Sequence, residues 1–88
     1  MAHLGQKQLS KIVTEAQTKV SVGAKYHHYK DTDQQYEVLA IALDEDTQKP
    51  CIVYKALYGK EIVWMRTLEN FLEEVETDQG KICRFNLS

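Results

Sequence analysis

Three groups of side chains have the types and the spacing to do chemistry. His28 and Glu37 flank a polar stretch, Asp31 to Gln34, and pairing of the strands on either side sets them opposite each other. A carboxylate beside an imidazole could orient it for acid–base work, but a nucleophile or third partner would still be needed, and the sequence identifies none. A strand-end histidine held by a hydrogen bond or an ion pair accounts for the same residues without a reaction. His27 and His28 are adjacent, so on a strand they point to opposite sides and make a poor metal pair.

Lys55, Trp64 and Arg66 form the second group, spread over two strands that flank Gly59-Lys60. An indole between two cations can stack on a planar group while the cations take a negative one. A nucleotide-like ligand, a phosphorylated metabolite or an acidic peptide would suit it. The plainer account is a tryptophan covered by a helix, with the cations lying along the surface or pairing with Glu69. Tyr29 and Tyr36 are the third group. With Trp64 they could form an aromatic groove of the kind that takes Pro-rich or methylated peptides.

Length limits what these residues can be used for. Eighty-eight residues make one expected domain, 1–88, near the lower limit at which a single core holds without staples, and such a chain buries roughly 60% of its unfolded surface. Most large side chains must therefore serve the core. Cys51 and Cys83 form no disulfide framework and no zinc motif, and both lie in apolar runs that predict small buried hydrophobes. No metal, cofactor or catalytic residue is expected. The first thirty residues lack a basic start followed by an apolar run, and no stretch approaches a membrane span, so a cytoplasmic protein without a signal peptide is expected. Net charge is −2, with the positive charge concentrated up to Lys30. That segment is sparse in charge and has no arginine, which makes nucleic acid an unpromising partner and contact with the acidic remainder the simpler reading.

The elements that must position these groups follow from periodicity. Leu9, Ile12, Val13 and Ala16 give residues 6–19 the stripe of an amphipathic helix, which needs something to dock on. From Val20 the period becomes two, predicting a strand to Tyr29, a loop over Asp31–Gln34 and a central strand over Gln35–Leu43 covered on both faces. The pairing expected is Tyr26 opposite Leu39 and His28 opposite Glu37. After the acidic loop Asp44–Pro50 come a strand over Cys51–Tyr58, a two-residue type II′ turn at Gly59-Lys60 and a strand over Glu61–Arg66. That turn sets Tyr54 opposite Met65 and Ala56 opposite Val63 on a core face, and Lys55 opposite Trp64 on the other. Tyr26 is also expected in the core. Thr67 caps a helix whose stripe is Leu68, Phe71, Leu72 and Val75, with Glu69, Glu73, Glu74 and Glu76 outward. A last strand runs from Lys81 to Leu87, with Cys83, Phe85 and Leu87 inward. The result is a mainly β fold: a small SH3-like, partly open barrel of about five strands, with an N-terminal helix and a short helix before the last strand. An OB-like barrel fits less well, because its helix sits elsewhere in the strand order.

Ordered motifs also carry a family resemblance. Tyr-x-His-Tyr-Lys at Tyr26 to Lys30, Tyr-Glu-Val at Tyr36 to Val38 and Val-Tyr-Lys-Ala-Leu-Tyr-Gly at Val53 to Gly59 are followed by Trp-x-Arg at Trp64 to Arg66, Phe-x-Glu at Phe71 to Glu73, and Arg84-Phe85. From about Val22 to Phe85 the chain resembles the small bacterial proteins grouped as domain of unknown function family 1653. The resemblance implies an SH3-like barrel and no assigned activity. Asp31 stands where the family usually has glycine, and Thr67 where it usually has proline. The N-terminal helix lies outside the match.

The function expected is a non-catalytic binding module for a small anionic or nucleotide-like ligand or an acidic peptide. Its candidate residues are Lys55, Trp64, Arg66, Tyr29, Tyr36 and His28. The alternative is an assembly protein that dimerises or docks on a partner through the N-terminal helix, and a small enzyme using His28 and Glu37 comes last.

Overall fold

A computed structural model describes residues 5–88; the start of the expected N-terminal arm, residues 1–4, lies outside them. Two helices and seven strands follow in order: α1 (Gln6–Lys19), β1 (Lys25–His28), β2 (Asp31–Leu43), β3 (Pro50–Ala56), β4 (Val63–Thr67), α2 (Leu68–Phe71), β5 (Glu74–Thr77), β6 (Gly80–Cys83) and β7 (Phe85–Leu87). The fold is mainly β. Five strands form one antiparallel sheet in the order β4-β3-β2-β1-β7, and β5 pairs with β6 in a separate hairpin. The five-stranded sheet is not closed into a barrel, since β4 and β7 remain its two edges.

Helix α1 forms where the apolar stripe predicts. Its first turn is capped by the Gln8 side chain, whose Oε1 accepts the Gly5 N–H at 2.9 Å, and Lys19 sits at the negative end of the helix dipole. Ala16 and, just after the helix, Val20 are fully buried against the sheet. A residue as small as alanine at the contact lets the helix approach the strands closely.

The β1–β2 connection differs from expectation. Asp31 to Gln34 is the beginning of β2 and not a loop; only Tyr29 and Lys30 turn the chain. Aspartate is depleted in strands, which made this stretch read as a turn. Here side chains complete the turn: His28 Nδ1 accepts the Lys30 N–H at 3.2 Å, and Asp31 Oδ1 accepts the Asp33 N–H at 3.1 Å. The shorter connection moves the register, so Tyr26 faces Tyr36, Lys25 faces Glu37, and His28 faces Asp31 after a bulge. His28 and Glu37 are therefore not cross-strand neighbours. They also lie on opposite faces of the sheet, because Glu37 alternates with the inward Tyr36 and Val38. The dyad expected from sequence is not assembled.

Strand β2 is central, but not covered on both faces. A second bulge, between Val38 and Ala40 against β3, leaves Leu39 as the extra residue and exposes it. The bulge exchanges faces, so Tyr36 and Val38 before it and Ile41 after it all reach the core.

The β3–β4 hairpin turns where expected, but its register is one residue off. Gly59 takes the positive φ (58°) of the predicted turn, and Glu61 then adopts a left-handed conformation too (φ 54°). The Glu61 N–H donates to the Tyr58 carbonyl at 3.1 Å, and the Ala56 N–H donates to the Ile62 carbonyl at 3.0 Å. Leu57 and Tyr58 thus stand against Glu61 alone. Tyr54 consequently faces Trp64, Ile52 faces Arg66, and Lys55 faces Val63. The one-residue slip reverses β4 completely. Val63 and Met65, expected in the core, are exposed (53% and 61%), while Trp64 and Arg66 share the face of Tyr54.

Thr67 caps α2, its Oγ1 accepting the Asn70 N–H at 3.2 Å. The helix is one turn long, shorter than expected, and buries Leu68 and Phe71. It stops because Glu73 is captured elsewhere: its carbonyl accepts the Arg84 N–H at 2.9 Å and its carboxylate pairs with Arg84 Nη2 at 2.8 Å. Val75, Glu74 and Glu76 consequently belong to β5. The same contacts break the expected last strand at Arg84 into β6 and β7, leaving Phe85 buried but Cys83 and Leu87 exposed.

The core beneath the sheet is aromatic. Phe71 stacks on Phe85 with ring centroids 4.5 Å apart, and Tyr54 meets both edge-on at 5.5 and 5.4 Å. Tyr26 closes on Phe71 at 5.3 Å. Edge-to-face and offset pairs at these spacings contribute about 0.5–1.5 kcal/mol each beyond the area they bury. This cluster is the floor on which the candidate site stands.

Candidate functional site

A cavity of about 360 Å³ opens at the end of the sheet where the β1–β2 turn meets β4. Its wall is aromatic: Tyr36 from β2, Tyr54 from β3, Tyr58 from the hairpin loop, Trp64 from β4 and Phe85 from β7. Its polar lining is His28, Lys30, Asp31, Gln34 and Arg66. The alternation of β4 places Trp64 and Arg66 here together, and the slip in the β3–β4 register is what turned them inward.

Arg66 is the most firmly held cation. Its Nε donates to Tyr54 Oη at 3.0 Å, its Nη1 donates to Asn70 Oδ1, and the guanidinium lies 5.7 Å from the Phe85 ring centre. A guanidinium fixed by two neutral acceptors and an aromatic face makes no ion pair among the described residues, so its charge remains available to an anion. The second cation, Lys30, lies 5.9 Å from the Tyr29 ring centre at the turn. Tyr36 and Tyr58 share a hydroxyl–hydroxyl bond of 2.5 Å, and Tyr36 also meets Tyr54 and Phe85 edge-on. Burial first, and then that shared bond, push the Tyr36 phenol above its ordinary range. Trp64, by contrast, is 51% exposed and forms the rim.

His28 packs between Tyr29, with centroids 4.7 Å apart, and Phe85, edge-on at 5.3 Å. Burial is the main cause that lowers its imidazole below the ordinary value, and the fields of Arg84, Arg66 and Lys30 act in the same direction.

Of the residues singled out from sequence, Trp64, Arg66, Tyr36 and His28 come together in this cavity. Lys55 does not line it, because the register sends its side chain to the opposite face beside Val63. Tyr29 lies behind His28 and instead borders a separate shallow depression with Thr77, Asp78, Gln79 and Ile82. Sequence reasoning missed Lys30, Asp31, Gln34 and Tyr58. Asp31 and Gln34 were hidden by assigning 31–34 to a loop, although Gln34 and Tyr36 share a face once the strand starts at Asp31, and Lys30 is brought in by the turn before it. A two-residue turn at Gly59-Lys60 would set Tyr58 opposite Glu61, whereas its hydroxyl meets that of Tyr36. Among the described residues no group of three or more His, Cys, Asp or Glu side chains is placed to hold a metal ion. No helix among them is long and apolar enough to cross a membrane.

An open five-stranded antiparallel sheet, a one-turn helix and an aromatic cavity at one sheet end define the class of domain. Residues 24–87 match the family model described as Protein of unknown function (DUF1653), and the chain belongs to that family. Helix α1 lies outside the match. A crystal structure of a member of the same family from Bordetella bronchiseptica is similar at 31% identity with a TM-score of 0.62, over 72% of this chain and 81% of that one. No curated protein matches the chain.

Proposed function

We propose that the protein is a non-catalytic binding module and that its cavity takes a small ligand with a flat ring and a negative charge. The observation that carries this is the joint placement of a half-exposed indole and a guanidinium held only by neutral acceptors at the mouth of an aromatic cavity. A ring stacking on Trp64 would bring an attached anion to Arg66, with Lys30 beside it. The volume lies within the range of about 300–1,000 Å³ typical of small-ligand sites. Tyr36, Tyr54 and Phe85 are already satisfied by one another and by Arg66, so they form a preorganised wall and need no rearrangement on binding.

Adenosine 5′-monophosphate, adenosine and inorganic phosphate test this as a set. Isothermal titration calorimetry is expected to show binding of AMP, with adenosine and phosphate each weaker by an order of magnitude or more. Trp64→Ala should abolish that binding while leaving the melting temperature within a few degrees, because the side chain is at the rim. Unfolding of Trp64→Ala would make the residue part of the core, and unchanged binding would place the site elsewhere. Either result overturns the proposal.

A further inference from the structure

We propose that the occupant of this cavity carries a single negative charge, and that a neutral His28 helps hold it by donating the hydrogen on Nε2. The proposal rests on the ligand reading above and goes beyond it in fixing the ligand's charge and assigning His28 a role.

The tautomer follows from one hydrogen bond. His28 Nδ1 accepts the Lys30 backbone N–H at 3.2 Å, so the neutral ring carries its hydrogen on Nε2, the nitrogen left free. A second proton would have to enter at Nδ1, where it would meet the Lys30 N–H donor to donor and cost that bond. The surroundings oppose the second proton as well. From its own turn His28 faces Lys30 and the Tyr29 phenol; from β2, Asp31 and the Tyr36 phenol; from β4, Arg66; and from the β6–β7 junction, Arg84. Three of these are cations. Of the carboxylates, Glu73 is ion-paired with Arg84 at 2.8 Å, and Asp31 already has Oδ1 engaged by the Asp33 N–H. Burial against Phe85 and Tyr29 favours the uncharged ring for the same reason that it disfavours any ion.

With His28 neutral, the charged lining is Lys30 and Arg66 against Asp31, a single net positive charge. A monoanion neutralises it. A dianion would leave one charge uncompensated against an aromatic wall, where desolvation is not repaid. The ligand class that fits best is a ring-bearing phosphodiester, sulfonate or carboxylate, with a phosphomonoester such as AMP bound more weakly.

AMP and its methyl ester separate these cases, since at pH 8 the phosphomonoester bears two charges and the diester one. The methyl ester is expected to bind roughly tenfold tighter than AMP at pH 8, the factor one unit of pK-scale interaction represents. Its affinity should stay constant within about twofold from pH 8 to pH 7, because no proton is taken up. His28→Gln, which retains an N–H donor, should lose little affinity; His28→Phe should lose about three- to tenfold, the range of one neutral hydrogen bond. Long-range proton–nitrogen NMR should show the Nε2–H tautomer both free and bound. Tighter binding of AMP than of its ester, or a His28 that becomes doubly protonated on binding, overturns the proposal even though the ligand reading survives. Absence of binding by both compounds removes the ligand reading and this inference with it.

Discussion

At the scale of single residues, His28 shows how a side chain can be visible in the sequence while its role is not. Its expected place opposite Glu37 allowed an acid–base reading. The structure gives it a backbone N–H, two aromatic faces and three nearby cations instead. The sign of the resulting pH effect is definite. Because the folded-state value lies below the ordinary 6.5, the unfolded chain binds the proton more readily as pH falls through that value. The stabilising contribution is therefore complete above about 6.5 and is lost as pH falls toward the folded-state value. Thermal melts between pH 7.5 and pH 5 should show a smaller loss of stability in His28→Gln than in the parent chain. An identical slope in both would mean that His28 titrates normally. Arg66 was legible as a cation near an indole, but not its restraints, because Tyr54 and Asn70 reach it from two other elements.

At the scale of elements, strand positions were legible and registers were not. Periodicity located α1, the cores of β1 to β4 and the cap at Thr67. It could not count the residues consumed by turns and bulges, and three such events decide which side chains face inward: the short turn at Tyr29-Lys30, the bulge at Leu39 and the left-handed Glu61. None has a strong local signature, since Glu61 is a non-glycine residue at positive φ and the first turn is closed by side chains. The division between Phe71 and Met65 follows from these registers. Phe71 is buried in the aromatic stack, so Phe71→Ala should cost about 3–5 kcal/mol. Met65 is on the outer face of an edge strand, so Met65→Ala should change stability by less than about 0.5 kcal/mol. Urea denaturation of the two variants measures both. A large loss for Met65→Ala would return it to the core face that sequence reasoning assigned.

At the scale of the whole molecule, the sheet is open, and α1 serves one face of it through Ala16 and Val20. The helix therefore uses at least part of its apolar stripe within its own chain, although it stands outside the family's matched region. Ala16→Asp would put a carboxylate into the fully buried contact between helix and sheet and should destabilise the full chain by more than about 3 kcal/mol. A lowered urea midpoint with an unchanged slope would show that the helix is part of the cooperative unit. An unchanged midpoint would show that it is not. The mainly β class, both helices and the family were accessible from the sequence, because they depend on composition, caps and ordered motifs. The cavity was accessible only in part, because it is assembled from five strands and two loops whose relative offsets no local pattern encodes.

The odd number of residues between Ala56 and Ile62 carries an evolutionary consequence. A hairpin loop is ordinarily where insertions and deletions are tolerated, yet here loop parity decides which side of β4 meets the cavity. Losing or gaining one residue while keeping the strands paired would turn Val63 and Met65 inward and carry Trp64 and Arg66 to the outer surface. Relatives that keep a tryptophan and an arginine facing such a cavity are therefore expected to vary this loop in steps of two, a form of selection that would leave no mark on the identity of any single residue.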